Sequence, residues 1–272
     1  MKKIIYFITL FALALCSFTV ADIYNTQERE IFKAKALPQD FAFDSLYPYP
    51  FEEVFIRTDK DATIHGLHFQ AKNPKGAVLY FHGRGWNLGS KKRGAHPDDF
   101  IARGYSVFIV DYRSFGKSTG PLSEKALFTD ANAAYDFLSQ RYAEDKITVY
   151  GMSFGTGIAT YVASKHNPHQ LILECPYYSM LDMAQRTASY LPTFVTSWIL
   201  KYHLRTDKLI KKVSCPVHIF HGTKDKLIPH HSATRLFNKI KSKAHLTSIE
   251  GGDHDHLPSH RDYTLQLDKL LH

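Results

Sequence analysis

Cysteine is scarce in this chain of 272 residues, with three in all: Cys16, Cys175 and Cys215. None sits in a C-x-x-C pair, which leaves a zinc ribbon or a dithiol redox centre unsupported. With Cys16 removed in a leader, Cys175 and Cys215 are the one possible pair. Both lie near the ends of expected core strands, either as buried free thiols or as a single disulfide in an oxidising compartment. The chain also lacks an internal repeat, a low-complexity stretch and any nucleic-acid-binding motif, and no H-E-x-x-H segment is present. Charged residues make up 22% of the chain, an ordinary share that argues against disorder. The apolar content of 44%, with 14% aromatic residues, is enough to bury a sizeable core. The length suits one large α/β domain. The net charge of +8 includes Lys2 and Lys3. It favours weak attraction to anionic surfaces such as phospholipid, with a solvated basic surface as the ordinary explanation, and no nucleic-acid motif accompanies it.

Residues 1–21 differ from everything after them. Lys2 and Lys3 form a positive start, Ile4 to Leu15 is an apolar run broken by Thr9, and Thr19-Val20-Ala21 offers small residues before Asp22. Three readings stand: a cleaved export signal, a retained membrane anchor, or a lipid-attachment signal at Cys16, where Leu15 is larger than such signals want. Each places the folded domain outside the cytoplasm, periplasmic or membrane-anchored. Residues 22–50 are aromatic and proline-containing without clear periodicity, and are expected to form an extended arm packed on a domain spanning 51–272.

Within that domain, Phe51 to Thr58 and Thr63 to Lys72 are strand candidates around a turn at Asp59-Lys60-Asp61. Continuous apolar runs follow at 77–81, 105–110, 147–150, 171–173 and 217–220, with a last strand at 246–250. Such runs suit strands buried on both faces. Helical stretches separate them. Leu127, Ala131, Ala134 and Leu138 share one helical face with Ser123 as N-cap, and shorter helices are expected at 232–240 and 261–271. The alternation predicts an α/β fold with a mostly parallel sheet covered on both faces, whose ligand site lies beyond the C-terminal strand ends. Residues 178–212 interrupt it. There Phe194, Trp198 and Tyr202 recur every fourth residue, either as ordinary packing against the sheet or as a helical cap giving a pocket an apolar wall.

Chemistry concentrates at the expected strand ends. Gly151-Met152-Ser153-Phe154-Gly155 fits G-x-S-x-G between a β-type run and a helix. A serine on so tight a turn leaves no room for side chains at the flanking positions, hence the two glycines. A bare strand-to-helix turn capped by serine is the other reading of that pentapeptide alone. His82-Gly83-Arg84-Gly85-Trp86-Asn87 follows an expected core strand; its glycines let backbone N–H groups turn inward. The backbone amides of Arg84 and Phe154 are the candidate oxyanion donors. His82 and Asn87 read as loop braces. A serine needs a base and the base an orienting acid. Asp225 follows the strand at 217–220, and His254 follows Gly251-Gly252 after the last strand, with His256 as competitor. The alternating Asp253-His254-Asp255-His256 could also ligate a divalent ion, but one loop does not complete a metal site.

Together these residues resemble the α/β-hydrolase superfamily from about Phe51 to the C-terminus. Asp111-Tyr112-Arg113-Ser114-Phe115-Gly116-Lys117-Ser118-Thr119-Gly120 is similar to that superfamily's DYRGxGxSxG segment, with Ser114 where glycine is usual and Asp255 where asparagine is common. The order of motifs looks most like the serine-aminopeptidase-type branch with its exported or membrane-anchored bacterial hydrolases. The resemblance implies Ser153 as nucleophile, Asp225 as acid and His254 as base, with no cofactor and no metal. It implies a serine hydrolase of carboxylic esters or thioesters acting on a small or lipid-like acyl substrate. A peptidase or amidase of the same mechanism and a catalytically silent binding module are the alternatives.

Overall fold

The computed structural model describes residues 21–90 and 97–271. The leader expected at 1–21, Cys16 included, falls outside the described residues except for Ala21. Among the described residues, no helix is long and apolar enough to cross a membrane.

Eight strands form one sheet: β1 (Phe51–Asp59), β2 (Ala62–Phe69), β3 (Ala77–Phe81), β4 (Ser106–Asp111), β5 (Ile147–Met152), β6 (Gln170–Glu174), β7 (Val217–Gly222) and β8 (Ala244–Ile249). Their spatial order is β1-β2-β4-β3-β5-β6-β7-β8. The β1–β2 and β2–β4 pairs are antiparallel and every other pair is parallel. All eight strands read from the sequence are present: β1 and β2 are hairpin arms bounded by turn residues, β3 to β7 carry the apolar runs, and β8 is a half-exposed edge strand.

The sheet is covered on both faces. Along β3, Leu79 and Phe81 face one core with Leu127, Ala131 and Ile158, whereas Val78 and Tyr80 face the other with Phe100, Tyr263 and Leu267. The first core is roofed by α3 (Glu124–Ser139) and α4 (Gly155–Ala163), and the second by α2 (Asp98–Ile101) and α9 (Arg261–Leu270). Ser123 caps α3 by accepting from Ala126 N at 3.1 Å. Cys175 and Cys215 are buried and free, on opposite faces of the sheet.

Two regions differ from the sequence reading. Residues 21–32 form a helix, α1, not an extended arm. Its inward side carries the polar Gln27 beside Ile31 and Phe32, so the apolar period that would reveal it is diluted. Gln27 donates to Ile199 O at 2.9 Å and accepts from Lys201 N at 3.0 Å, which lets a polar residue face inward. The segment after α1 packs as expected, with Phe43 and Tyr47 in the second core.

In the insertion, α5 (Met180–Thr187), α6 (Thr193–Ile199) and α7 (Thr206–Leu209) replace the single apolar face suggested by Phe194, Trp198 and Tyr202. Helix α6 ends at Ile199. Tyr202 therefore leaves that face and is buried edge-on to Phe32 at 4.7 Å, while Phe194 and Trp198 are 76% and 79% exposed. Ordinary packing against the sheet does not account for those two rings.

At the β7–β8 pair, His218 lies opposite His245. Its pKa falls to about 4, chiefly through burial and then through His245, Lys243 and His169. A histidine kept neutral by the fold stabilises it fully above the unfolded value near 6.5, and that contribution is lost as pH falls from there through 4. Urea midpoints between pH 7 and 4 should therefore fall less steeply in His218→Leu than in the wild type. Equal slopes would show that this histidine is not one of the acid-sensitive groups.

Candidate active site

The strand order reverses about β3. The chain leaves β3 toward β4, then crosses back to β5 on the other side, so the C-terminal ends of β3 and β5 lie together at the switch point with Phe81 opposite Gly151. That register puts the 82–88 loop against the Ser153 turn. Ser153 sits at φ 50°, a left-handed conformation costly for a side-chain-bearing residue. The turn is pinned by Ser153 N donating to Glu174 O at 2.8 Å. A Cβ on Gly155 would lie 2.1 Å from Phe81 O, and one on Gly151 would lie 2.6 Å from Gly155 O. No side chain fits at either place.

Three polar side chains meet at this end of the sheet. His254 Nε2 is 2.9 Å from Ser153 Oγ, and His254 Nδ1 is 2.7 Å from Asp225 Oδ2. Asp225 Oδ1 accepts from the amides of Leu227 at 2.9 Å and Ile228 at 2.8 Å. His221 Nε2 donates to Ile228 O at 2.7 Å and lies 3.3 Å from Asp225 Oδ2. Burial by itself raises a carboxyl's pKa. Hydrogen bonds from His221 and His254 and from the Ile228 amide outweigh it and hold Asp225 well below the usual carboxylate range. A carboxylate facing Nδ1 requires the proton on that nitrogen, which leaves Nε2 as an acceptor for the Ser153 hydroxyl.

His256, the sequence competitor, stays at the surface and pairs with Asp253 at 3.0 Å. The alternating Asp253–His256 stretch therefore does not converge as a ligand set, because His254 points inward. Among the described residues, Cys175, Asp225 and His254 form a group of donor atoms within 4.8 Å. Its members are engaged otherwise. The Cys175 thiol donates to His254 O at 3.8 Å and is pushed well above its ordinary pKa by burial, then by Glu174 and Asp225, so it stays a thiol.

The candidate oxyanion residues line the same cavity as Ser153. Phe154 opens α4, and Arg84 precedes Gly85, whose φ is +75°. Among the hydrogen bonds of the described residues, neither backbone amide is used as a donor. His82 does not reach the serine. Its Nδ1 lies 2.7 Å from Gly83 O and its Nε2 3.2 Å from Asp111 Oδ1. Asn87 Nδ2 donates to Lys35 O at 2.8 Å. Both are loop braces.

What sequence reasoning missed is the framework behind that loop. Asp111 accepts from Leu88 N at 3.2 Å, and Tyr112 Oη donates to His82 O at 2.8 Å. Arg113 forks onto Asp130 at 2.7 and 2.9 Å, joining the segment to α3. Ser114 holds φ 66°, a conformation better suited to the glycine usual there. Helix α1 was missed too. Phe32 packs edge-on to both Phe154 and Tyr202, and its carbonyl accepts from Gly85 N at 2.8 Å. The DYR-type segment carried a signal for this bracing; α1 carried almost none.

The cavity above Ser153 measures about 690 Å³. Met180, Met183, Leu191, Ile199 and Leu200 from the insertion give it an apolar wall, and α1 closes another side through Ile23 and Gln27. This volume lies in the range of small-molecule sites.

A family model described as serine aminopeptidase, S33, matches residues 72–210, about half of the chain. That range includes Ser153 but neither Asp225 nor His254. Lysophosphatidylserine lipase ABHD12 of Danio rerio is 29% identical over 196 residues, covering 66% of this chain and 50% of its own. Protein bem46 of Schizosaccharomyces pombe is 28% identical over 248 residues, 86% of this chain and 82% of its own. The chain thus spans about half the length of that lipase and most of bem46. Among solved structures, the Pyrococcus furiosus esterase Pf2001 superposes with a TM-score of 0.69 at 18% identity, covering 88% of this chain and 95% of its own. Acetyl xylan esterase 1 from Thermoanaerobacterium gives 0.64 at 17% identity over 93% of each chain. These two share the α/β-hydrolase fold.

Because a Cβ at residue 155 would meet backbone on the neighbouring strand, Gly155→Ala should destabilise the protein by about 3 kcal/mol or more. A urea midpoint within about 0.5 kcal/mol of wild type, the range of neutral surface changes, would refute the close approach.

Proposed function

Since the chain belongs to the serine aminopeptidase S33 family of α/β-hydrolases, we propose that it is a serine hydrolase that cleaves carboxylic ester or thioester acyl bonds. The observation that carries this reading is the continuous chain of hydrogen bonds from Asp225 Oδ2 through His254 to Ser153 Oγ. In the reaction, Ser153 Oγ attacks the acyl carbon as its proton passes to His254 Nε2. Asp225 stabilises the imidazolium that forms and holds the ring in the required tautomer. The amides of Phe154 and Arg84 receive the developing oxyanion. His254 then returns the proton to the leaving alcohol or thiol, giving an acyl-enzyme on Ser153. Water, activated by the same ring, releases the acid and regenerates the serine.

The apolar cavity supports a lipid-like acyl group, as do relatives named lysophosphatidylserine lipases. The S33 name alone does not decide between ester and peptide, because one mechanism serves both. Residues 51–272 form the catalytic domain in this reading, with 178–212 as the cap that walls the acyl site. The leader at 1–21 supports placement outside the cytoplasm, by export or anchoring.

A fluorophosphonate probe should label the wild type and leave Ser153→Ala unlabelled. In a panel of p-nitrophenyl esters, thioesters and aminoacyl amides, Ser153→Ala should lower kcat by on the order of 10⁴ to 10⁶, and Asp225→Asn by about 10⁴ through the wrong histidine tautomer. Turnover surviving in Ser153→Ala would remove the mechanism. Amide cleavage exceeding ester cleavage would move the reading to a peptidase.

A further inference from the structure

Large apolar side chains are exposed on this molecule in one region far more than elsewhere. Of the eight such residues among those described, six belong to elements that wall the cavity: Ile23 and Tyr24 on α1, Tyr190, Phe194 and Trp198 in the insertion, and Leu227 after β7. Tyr190, Phe194 and Trp198 are 76–79% exposed. Helix α6 is two-sided: Thr196 and Ile199 line the cavity, while Phe194 and Trp198, one turn apart, point the other way into solvent. A soluble surface rarely concentrates aromatic area in this manner without a partner for it.

We propose that this face is a docking surface for an anionic phospholipid bilayer, through which the lipid substrate enters the cavity. Three observations select that occupant. Tryptophan and tyrosine are the side chains that partition to the bilayer interface, with an apolar body and a polar tip. Cations accompany them. Lys33, Arg84 and Arg186 line the cavity mouth and, among the described residues, none of them pairs with a carboxylate. Lys201 lies over the Tyr24 ring at 4.3 Å. The acids on these elements are Asp22, Glu28, Glu30 and Asp182; Glu28 lies 3.7 Å from Lys201, Glu30 3.2 Å from Arg29 and Asp182 2.6 Å from Arg235, which leaves Asp22 as the one acid there without a cation beside it among the described residues. Third, the apolar run Ile4 to Leu15 precedes α1 in the sequence, and Ile23 and Tyr24 stand in the first turn of that helix. A second copy of the chain fits less well, because Ile23, Tyr190 and Leu227 border the cavity itself and a protein seated there would close its mouth. A bilayer would instead present acyl chains to it. The route of the substrate rests on the ester-hydrolase reading above; the docking itself does not.

The test uses the full-length protein with phosphatidylcholine vesicles, with and without phosphatidylglycerol, and a brominated lipid to quench tryptophan. The wild type should bind the anionic vesicles about tenfold or more tightly than the neutral ones, with quenching that disappears in Trp198→Phe, where Trp86 alone remains. The exposed pair Phe194→Ser/Trp198→Ser should weaken vesicle binding, and turnover of a long-chain ester carried in vesicles, by about tenfold or more. Hydrolysis of soluble p-nitrophenyl acetate should stay unchanged. Quenching that survives Trp198→Phe, or a double variant that binds vesicles like the wild type, overturns the proposal. A sedimentation shift from dimer to monomer in the double variant, with vesicle binding intact, overturns it in favour of self-association. Vesicle binding without turnover of either ester would sink the hydrolase reading while keeping the docking face.

Discussion

The site depends on how closely two neighbouring parallel strands approach at their C-terminal ends. β3 and β5 pair in register up to Phe81 and Gly151, and the first turn of α4 lies directly on the backbone of Phe81 and His82. That approach forces glycine at 151 and 155 and drives Ser153 into a left-handed conformation. A residue held there costs about 1–3 kcal/mol and persists only where its surroundings over-determine it. Here the surroundings are the Glu174 carbonyl that accepts from Ser153 N, and the loop braced by Asp111 and Tyr112. The same strain lifts the serine hydroxyl out of the sheet and aims it at a histidine from a strand three places away.

Electrostatics complete what packing begins. Asp225 stays ionised although it is buried, because two amides and two imidazoles surround its oxygens. A buried charge without such partners would neutralise itself. His221 is a quiet member of this arrangement. Lying between a carbonyl and the carboxylate, it helps fix the acid that in turn fixes His254. Cys175, close to both, remains a protonated thiol, because burial and then the charges of Glu174 and Asp225 outweigh the one backbone contact, from Gly222, that favours its anion.

The cavity, by contrast, is built from parts that contribute little to the central sheet. Helix α1 reaches it through Ile23, Gln27 and Ile31, and the insertion through α5 and α6. One wall thus comes from residues 21–32 and another from residues 180–200, joined by Gln27 bonding across to Ile199 and Lys201. The cavity lining is assembled from two distant stretches of chain, while Ser153, Asp225 and His254 stand at the strand ends beneath.

Local pattern was enough for the sheet, the helices on its two faces, the glycine-flanked serine and the order in which an acid and a histidine follow it. Each is written in runs, periods and turns a few residues long, where hydrophobic periodicity and backbone sterics act. Three things were decided in space alone. Whether His254 or His256 faces the serine depends on which way one loop turns as it leaves β8. Whether Tyr202 shares a face with Phe194 and Trp198 depends on α6 stopping at Ile199, after which the chain follows tertiary contacts with Phe32. Helix α1 was hidden because its inward residue Gln27 is satisfied by carbonyl and amide groups far along the chain, a pairing that no short window of sequence records.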